Sequence, residues 1–290
     1  MDPELLPAIF ALTSAALFGL AINFQRLGIR AADGRTAAAI SIYAFAAIFW
    51  LLSPFFVEWH WWGTRAALIF AFCGLLVPLI GQLMHMASIE HIGASTTGAM
   101  SIFAPAFAIV PAVLLLGETF NVQGGIGLAV MALGILAVVQ AGDDTRKKFA
   151  LWLLILPLGA SLARGIVQPT AKFAYAEVPS PVFGTLVMAT VSSIAVTVYL
   201  LSRDRATIRL DRGQGLNWLI AGGVANGVGL LFLQSAIAYG EVIVASSLST
   251  TVPLWTLALG GLFFKENKIG PWHIGAGVLT TVGAVILVTR

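Results

Sequence analysis

The chain has 290 residues, 59% of them hydrophobic and 10% charged, with a formal net charge of +3. Charged residues make up about a quarter of a soluble domain, so this composition, with a mean hydropathy of +0.93, excludes a soluble globular protein. The single cysteine, Cys73, excludes an intrachain disulfide and is read as packing.

A helix that crosses a bilayer needs about 20 predominantly apolar residues. Ten such segments follow one another in the chain, at 5–24, 36–57, 66–88, 94–116, 122–140, 149–175, 180–201, 215–238, 242–264 and 270–289. The connections are short, so an all-α polytopic membrane protein is expected, with the lipid bilayer as its first partner. The leader Met1-Asp2-Pro3-Glu4 is acidic and no small-x-small cleavage site follows, so the first segment is not read as a cleaved signal peptide.

Lys and Arg crowd the connections after segments 1, 5, 7 and 9, twelve against three on the opposite face. Short basic loops stay in the cytoplasm, which places both termini outside a cell (inner) membrane. The bias also inverts between halves. Basic loops follow the first and fifth segments of the first half, but the second and fourth of the second half.

That inversion matches a duplication. Pro105 is followed after twelve residues by Glu118, and Pro253 after the same interval by Glu266; each glutamate precedes a Gly-rich apolar run. Ala87 to Pro105 parallels Ala236 to Pro253, and Ile126-Gly127 parallels Ile274-Gly275. Phe18-Gly19 opens the pattern, with an echo near Ala163 that makes Leu20 the approximate counterpart of Arg164. With five segments per half, the second copy enters the membrane in the opposite sense, the inverted-repeat plan of secondary transporters. The expected division is a first repeat over 1–140, a linker over 141–148 and a second repeat over 149–290.

Two five-helix repeats, each ending Pro-x12-Glu before a Gly-rich helix, resemble the EamA branch of the drug/metabolite transporter superfamily. The resemblance covers essentially the whole chain. It implies a ten-helix basket around a central cavity, lined mainly by the first, third and fourth helices of each half, with the last helices peripheral. It also implies cytoplasmic termini, against the charge count, and export or exchange of small metabolites, often amino acids. The membrane-embedded glutamate that related four-helix cation antiporters carry in their first helix has no counterpart, since Glu4 lies at the edge of segment 1.

Polar groups inside a bilayer are costly and point to function. Arg164 stands in mid-segment 6, on one helical stripe with Ser161, Gln168, Lys172 and Tyr175, and no Asp or Glu occupies the middle of any segment. Two readings stand: Arg164 binds a carboxylate or phosphate in a wet cavity, or it satisfies backbone carbonyls beside Pro169. Segment 3 carries Pro78, Gln82 and His85; segment 1 carries Asn23; segment 8 carries Asn226 and Gln234. The candidate substrate-binding residues are Arg164, Gln168, Asn23, Gln82, His85, Asn226, Gln234, Ser101 and the deeper Trp255. His85, Glu90 and His91 do not converge as metal ligands.

Hydroxyl clusters precede both prolines: Ser95, Thr96, Thr97 and Ser101 before Pro105, and Ser246, Ser247, Ser249, Thr250 and Thr251 before Pro253. Proline frees a carbonyl one turn earlier that hydroxyls can satisfy, so Pro105 and Pro253 are read as hinges. Glu118 and Glu266 are expected to cap the helices that follow them. The Gly-rich last segments suit close packing, within the fold or between protomers. Trp59, Trp61 and Trp62 suit an interfacial belt.

The functional expectation is a secondary transporter that exports a small polar metabolite, an amino acid or other organic anion, by alternating access. A coupling proton or counter-substrate is the further expected partner. Import or exchange of other metabolites is the first alternative, an intramembrane enzyme or a scaffold the second. No GxxxxGK[ST] loop occurs, and no cofactor, metal, nucleic-acid partner or enzymatic activity is expected.

Overall fold

A computed structural model of the chain describes residues 5–93, 97, 100, 103–140, 150–202, 213–264 and 271–288. Within them the ten expected segments are helices: α1 Leu5–Gly28, α2 Gly34–Phe56, α3 Arg65–Ile92, α4 Phe103–Leu116 and α5 Val122–Gln140 in the first half. The second half has α6 Ile155–Glu177, α7 Pro181–Leu201, α8 Gln214–Tyr239, α9 in two pieces (Val242–Ser249 and Val252–Phe264) and α10 Pro271–Val288. Seven are long and apolar enough to cross a membrane, and α4, α5 and α10 add shorter apolar stretches.

Short polar residues start several of these helices by accepting from the first free N–H groups. Asp33 accepts from Thr36 N in α2, Thr64 from Ala67 N in α3, Asn121 from Gly124 N in α5 and Ser180 from Phe183 N in α7. Carboxylates do the same from other helices. Glu177, ending α6, accepts from Ala66 N at 2.9 Å, and Glu90 in α3 accepts from Gly34 N at 3.2 Å. Glu118 accepts from Val242 N at 2.7 Å and Ile243 N at 3.0 Å, the start of α9. This corrects one expectation: Glu118 caps a helix of the opposite half, and Asn121 caps the one that follows. Glu266 lies outside the described residues.

The inverted symmetry is visible where glycines let backbones touch, as small residues do in membrane helices. A Cβ on Gly19 of α1 would stand 2.8 Å from Trp255 Cβ and Thr256 N in α9. A Cβ on Gly165 of α6 would stand 2.8 Å from the Phe107 carbonyl carbon in α4. Phe107 and Trp255 are 148 positions apart, and Gly19 and Gly165 are 146 apart. Gly165 is therefore the counterpart of Gly19, and the counterpart of Arg164 is Phe18, not Leu20.

The remaining contacts repeat in the same way. Gly74 of α3 packs on the Met188 backbone of α7, as Gly223 of α8 packs on the Ser41 backbone of α2. The last helices of the two halves meet each other, a Cβ on Gly127 reaching to 2.8 Å from Gly283 O. Those glycines thus pack within the chain. Trp59 is 62% exposed, while Trp61 and Trp62 are partly buried, each in an edge-to-face arrangement with Phe183.

Two helices are irregular at membrane depth. In α3, Leu75–Gly81 is π-helical around Pro78, a distortion frequent at functional sites. Pro78 cannot donate to the Gly74 carbonyl one turn earlier, and Ser192 Oγ, 2.7 Å away, takes its place. In α9 the helix is interrupted at Thr250–Thr251, just before Pro253. The Ser249, Thr250 and Thr251 hydroxyls donate to the Ser246, Ser247 and Leu248 carbonyls. Broken helices are tolerated inside a bilayer where hydroxyls and a cavity re-satisfy the backbone.

Candidate functional site

Both irregular stretches border one central cavity, with about 1090 Å³ of empty space counting its opening. Pro78 and Gly81 border it from α3, and Ser249, Thr250 and Val252 from the break in α9. α1, α2, α6 and α8 supply most of the remaining wall, with Ala104 from α4. The part taken by α2 departs from the expected first-third-fourth pattern, and its counterpart α7 contributes no lining residue among those described.

Six of the nine candidate substrate-binding residues meet in this cavity: Arg164, Gln168, Gln82, His85, Asn226 and Gln234. Arg164 Nη2 points at His85 Nδ1 from 3.4 Å. No carboxylate among the described residues pairs with it, and no described backbone carbonyl accepts from it. An arginine at membrane depth costs upward of about 3 kcal/mol. Its planar fork of donors has the geometry to meet the two oxygens of a carboxylate or phosphate.

The amides around it are also incompletely paired. Asn226 Nδ2 donates to Gln82 Oε1 at 3.4 Å, leaving Gln82 Nε2 buried without a partner. Gln234 Nε2 donates to Met188 Sδ at 3.2 Å, leaving Gln234 Oε1 without one. Gln168 Oε1 and Ser41 Oγ are in the same state. Each unmet buried group costs about 1–3 kcal/mol. The unmet groups are one amide donor, two amide acceptors and a hydroxyl on residues that line the cavity with Arg164, and a change of side-chain rotamer would present them to a ligand with an anionic and a hydrogen-bond-donating group.

Asn23 and Trp255 fall outside the cavity lining, and Ser101 lies outside the described residues. Asn23 Nδ2 donates to Gly19 O at 3.0 Å and Thr256 O at 2.9 Å, tying α1 to α9. Trp255 is 36% exposed, with its Cβ against Gly19. The sequence reading missed Phe18 as a wall residue, and with it Gln25, Ser41, Ile42 and Phe45. Ser41 is a polar position within an apolar run, a signal the sequence does carry, whereas Gln25 lies just past the end of segment 1 beside Arg26.

The rest of the Arg164 stripe serves the fold. Ser161 Oγ donates to Met100 O at 3.0 Å, and the Tyr175 ring packs at a tilt against Phe70 with ring centroids 4.9 Å apart. Lys172 Nζ donates to Ile237 O at 2.8 Å and Gly240 O at 2.7 Å. Glu90 is engaged with Gly34 N and His91 with Ala87 O, apart from His85 in the cavity. No group of three potential metal ligands occurs among the described residues.

The sequence model of the EamA-like transporter family matches residues 5–140 and again residues 151–289. No curated protein matches the sequence. A protein of known crystal structure superposes with a TM-score of 0.77 at 14% identity, over 97% of this chain and 95% of its own. At that identity the likeness speaks for the fold.

Proposed function

We propose a function for a chain that belongs to the EamA-like transporter family: it is a secondary transporter that carries a small polar metabolite with an anionic group through the central cavity. The chain is a multi-pass membrane protein of the drug/metabolite transporter type, built as two inverted five-helix repeats. An amino acid is the best single candidate cargo, with export as the direction. The halves, 1–140 and 149–290 joined through 141–148, rock about the site, and Pro105 and Pro253 are the hinges.

One observation carries the reading. Arg164 borders the cavity without a carboxylate partner among the described residues, amid the unmet polar atoms of Gln82, Gln168 and Gln234. Such groups are expensive in a bilayer, and a ligand with a carboxylate and an ammonium offers each one a complement. His85 holds Arg164 toward that ligand.

Uptake of labelled amino acids into proteoliposomes tests this. Saturable uptake is expected to fall to background in Arg164→Ala and to survive weakly in Arg164→Lys, which keeps the charge but loses the fork. Equal uptake by wild type and Arg164→Ala, with good transport of a cation, sinks the anion reading.

A further inference from the structure

The two walls of the cavity can be compared position by position, because the inverted repeat pairs them. Phe18 with Arg164, Ala21 with Val167, and Ile22 with Gln168 are each 146 positions apart. Val77 with Asn226, Pro78 with Gly227, and His85 with Gln234 are each 149 apart. All twelve residues line the cavity. In three of these pairs an apolar residue of the first half answers a polar one of the second, and in none is the order reversed.

Outside the pairs the first-half wall is mixed, with Gln25, Ser41 and Gln82 beside two further apolar residues. Ile42 and Phe45 of α2 reach the cavity, although only 2% and 3% exposed. Phe45 is wedged against Gly227 and Phe49, and Phe18 against Gly229, so both rings are held in place by α8 or by a neighbouring ring. No Asp or Glu lines the cavity among the described residues, and Arg164 is the one permanently charged side chain there.

A site that kept its symmetry would present a second arginine at position 18 and would suit a dianion. A phenylalanine there leaves a second anionic group desolvated and unpaired. A cationic side chain fares no better, meeting the field of Arg164 and no carboxylate. An apolar group, in contrast, gains by leaving water.

We infer that the cargo is an amphipathic zwitterion with a single carboxylate, that carboxylate on Arg164 and its apolar side chain against Phe18, Ile22, Ile42 and Phe45, and that Phe18 determines this specificity. The inference rests on the anion-transport reading above.

The test is competition against labelled norleucine uptake in proteoliposomes. Glycine, alanine, 2-aminobutyrate and norvaline are expected to compete about fourfold better per added methylene. Glutamate and lysine are expected to fall at least about tenfold behind norvaline. Phe18→Ala flattens the series, and Phe18→Arg lifts glutamate above norvaline. A flat wild-type series, or glutamate or lysine matching norvaline, overturns the inference without any variant having to fold. Such a result with uptake still dependent on Arg164 leaves the anion reading standing. Uptake that survives Arg164→Ala, or no saturable norleucine uptake at all, overturns this inference, and survival in Arg164→Ala removes the anion reading with it.

Discussion

Lys172 in α6 donates to the carbonyl of Gly240, 2.7 Å away at the end of α8, and to that of Ile237 at 2.8 Å. A helix C-terminus carries unsatisfied carbonyls and partial negative charge, so an ammonium group is its natural complement. The latch joins the two helices that supply Arg164, Gln168, Asn226 and Gln234 to the cavity. Lys172→Met is expected to cost about 1–3 kcal/mol. It should lower the melting temperature of the detergent-solubilised protein by several degrees, and Lys172→Arg should recover most of the loss. Because Lys172 does not line the cavity, the half-saturation concentration of cargo should stay the same.

Asn23 separates a structural amide from a binding one. Its Nδ2 bridges Gly19 O and Thr256 O, so Asn23→Ala unties α1 from α9 without touching the cavity wall. Interhelical polar contacts in membranes average about 0.6 kcal/mol. A small fall in melting temperature with unchanged apparent affinity is expected. Gln168→Ala should give the opposite result, with weaker apparent affinity and little change in melting temperature.

Glu118 ties the halves together by capping α9 from the end of α4. Glu118→Ala removes both acceptors and should destabilise by about 1–2 kcal/mol, the usual range for a lost cap. Glu118→Gln keeps one amide oxygen and should retain more stability in a chemical denaturation series. Equal loss in both variants would show that the negative charge, rather than the hydrogen bonds, carries the effect.

Three glycines give a graded packing series. A Cβ at Gly19 or Gly165 meets backbone atoms of the opposite half at 2.8 Å, which cannot yield as a flexible side-chain tip would. A Cβ at Gly63 meets nothing within 4 Å. Gly19→Ala and Gly165→Ala are expected to lower the yield of folded protein in size-exclusion profiles, with Gly63→Ala close to wild type. Val at position 19 or 165 should be worse than Ala, since overpacking costs grow with volume.

The ten spans were legible from hydropathy alone because a bilayer imposes a length and an apolar composition on every crossing. Arg164, Gln168, Gln82, His85, Asn226 and Gln234 were legible as candidates for a related reason: polar side chains in apolar runs are costly enough to stand out. The duplication was legible in Pro105 and Glu118 against Pro253 and Glu266, because both copies keep the same spacing.

Tertiary structure decided which polar residues face each other and which face the backbone. Asn23 and Gln168 look alike in sequence, yet one bridges two carbonyls and the other borders the cavity, because a helix periodicity names a stripe but not what packs against it. The same holds for Glu118, whose capped helix is 124 positions away in the chain. Apolar wall residues such as Ile42 and Phe45 carry no sequence signal in a chain where most residues are hydrophobic, and Phe18 stands out only as part of the repeat pattern. The close approaches at Gly19 and Gly165 identify Phe18 and Arg164 as counterparts in the two repeats, and those approaches are backbone contacts between helices far apart in sequence.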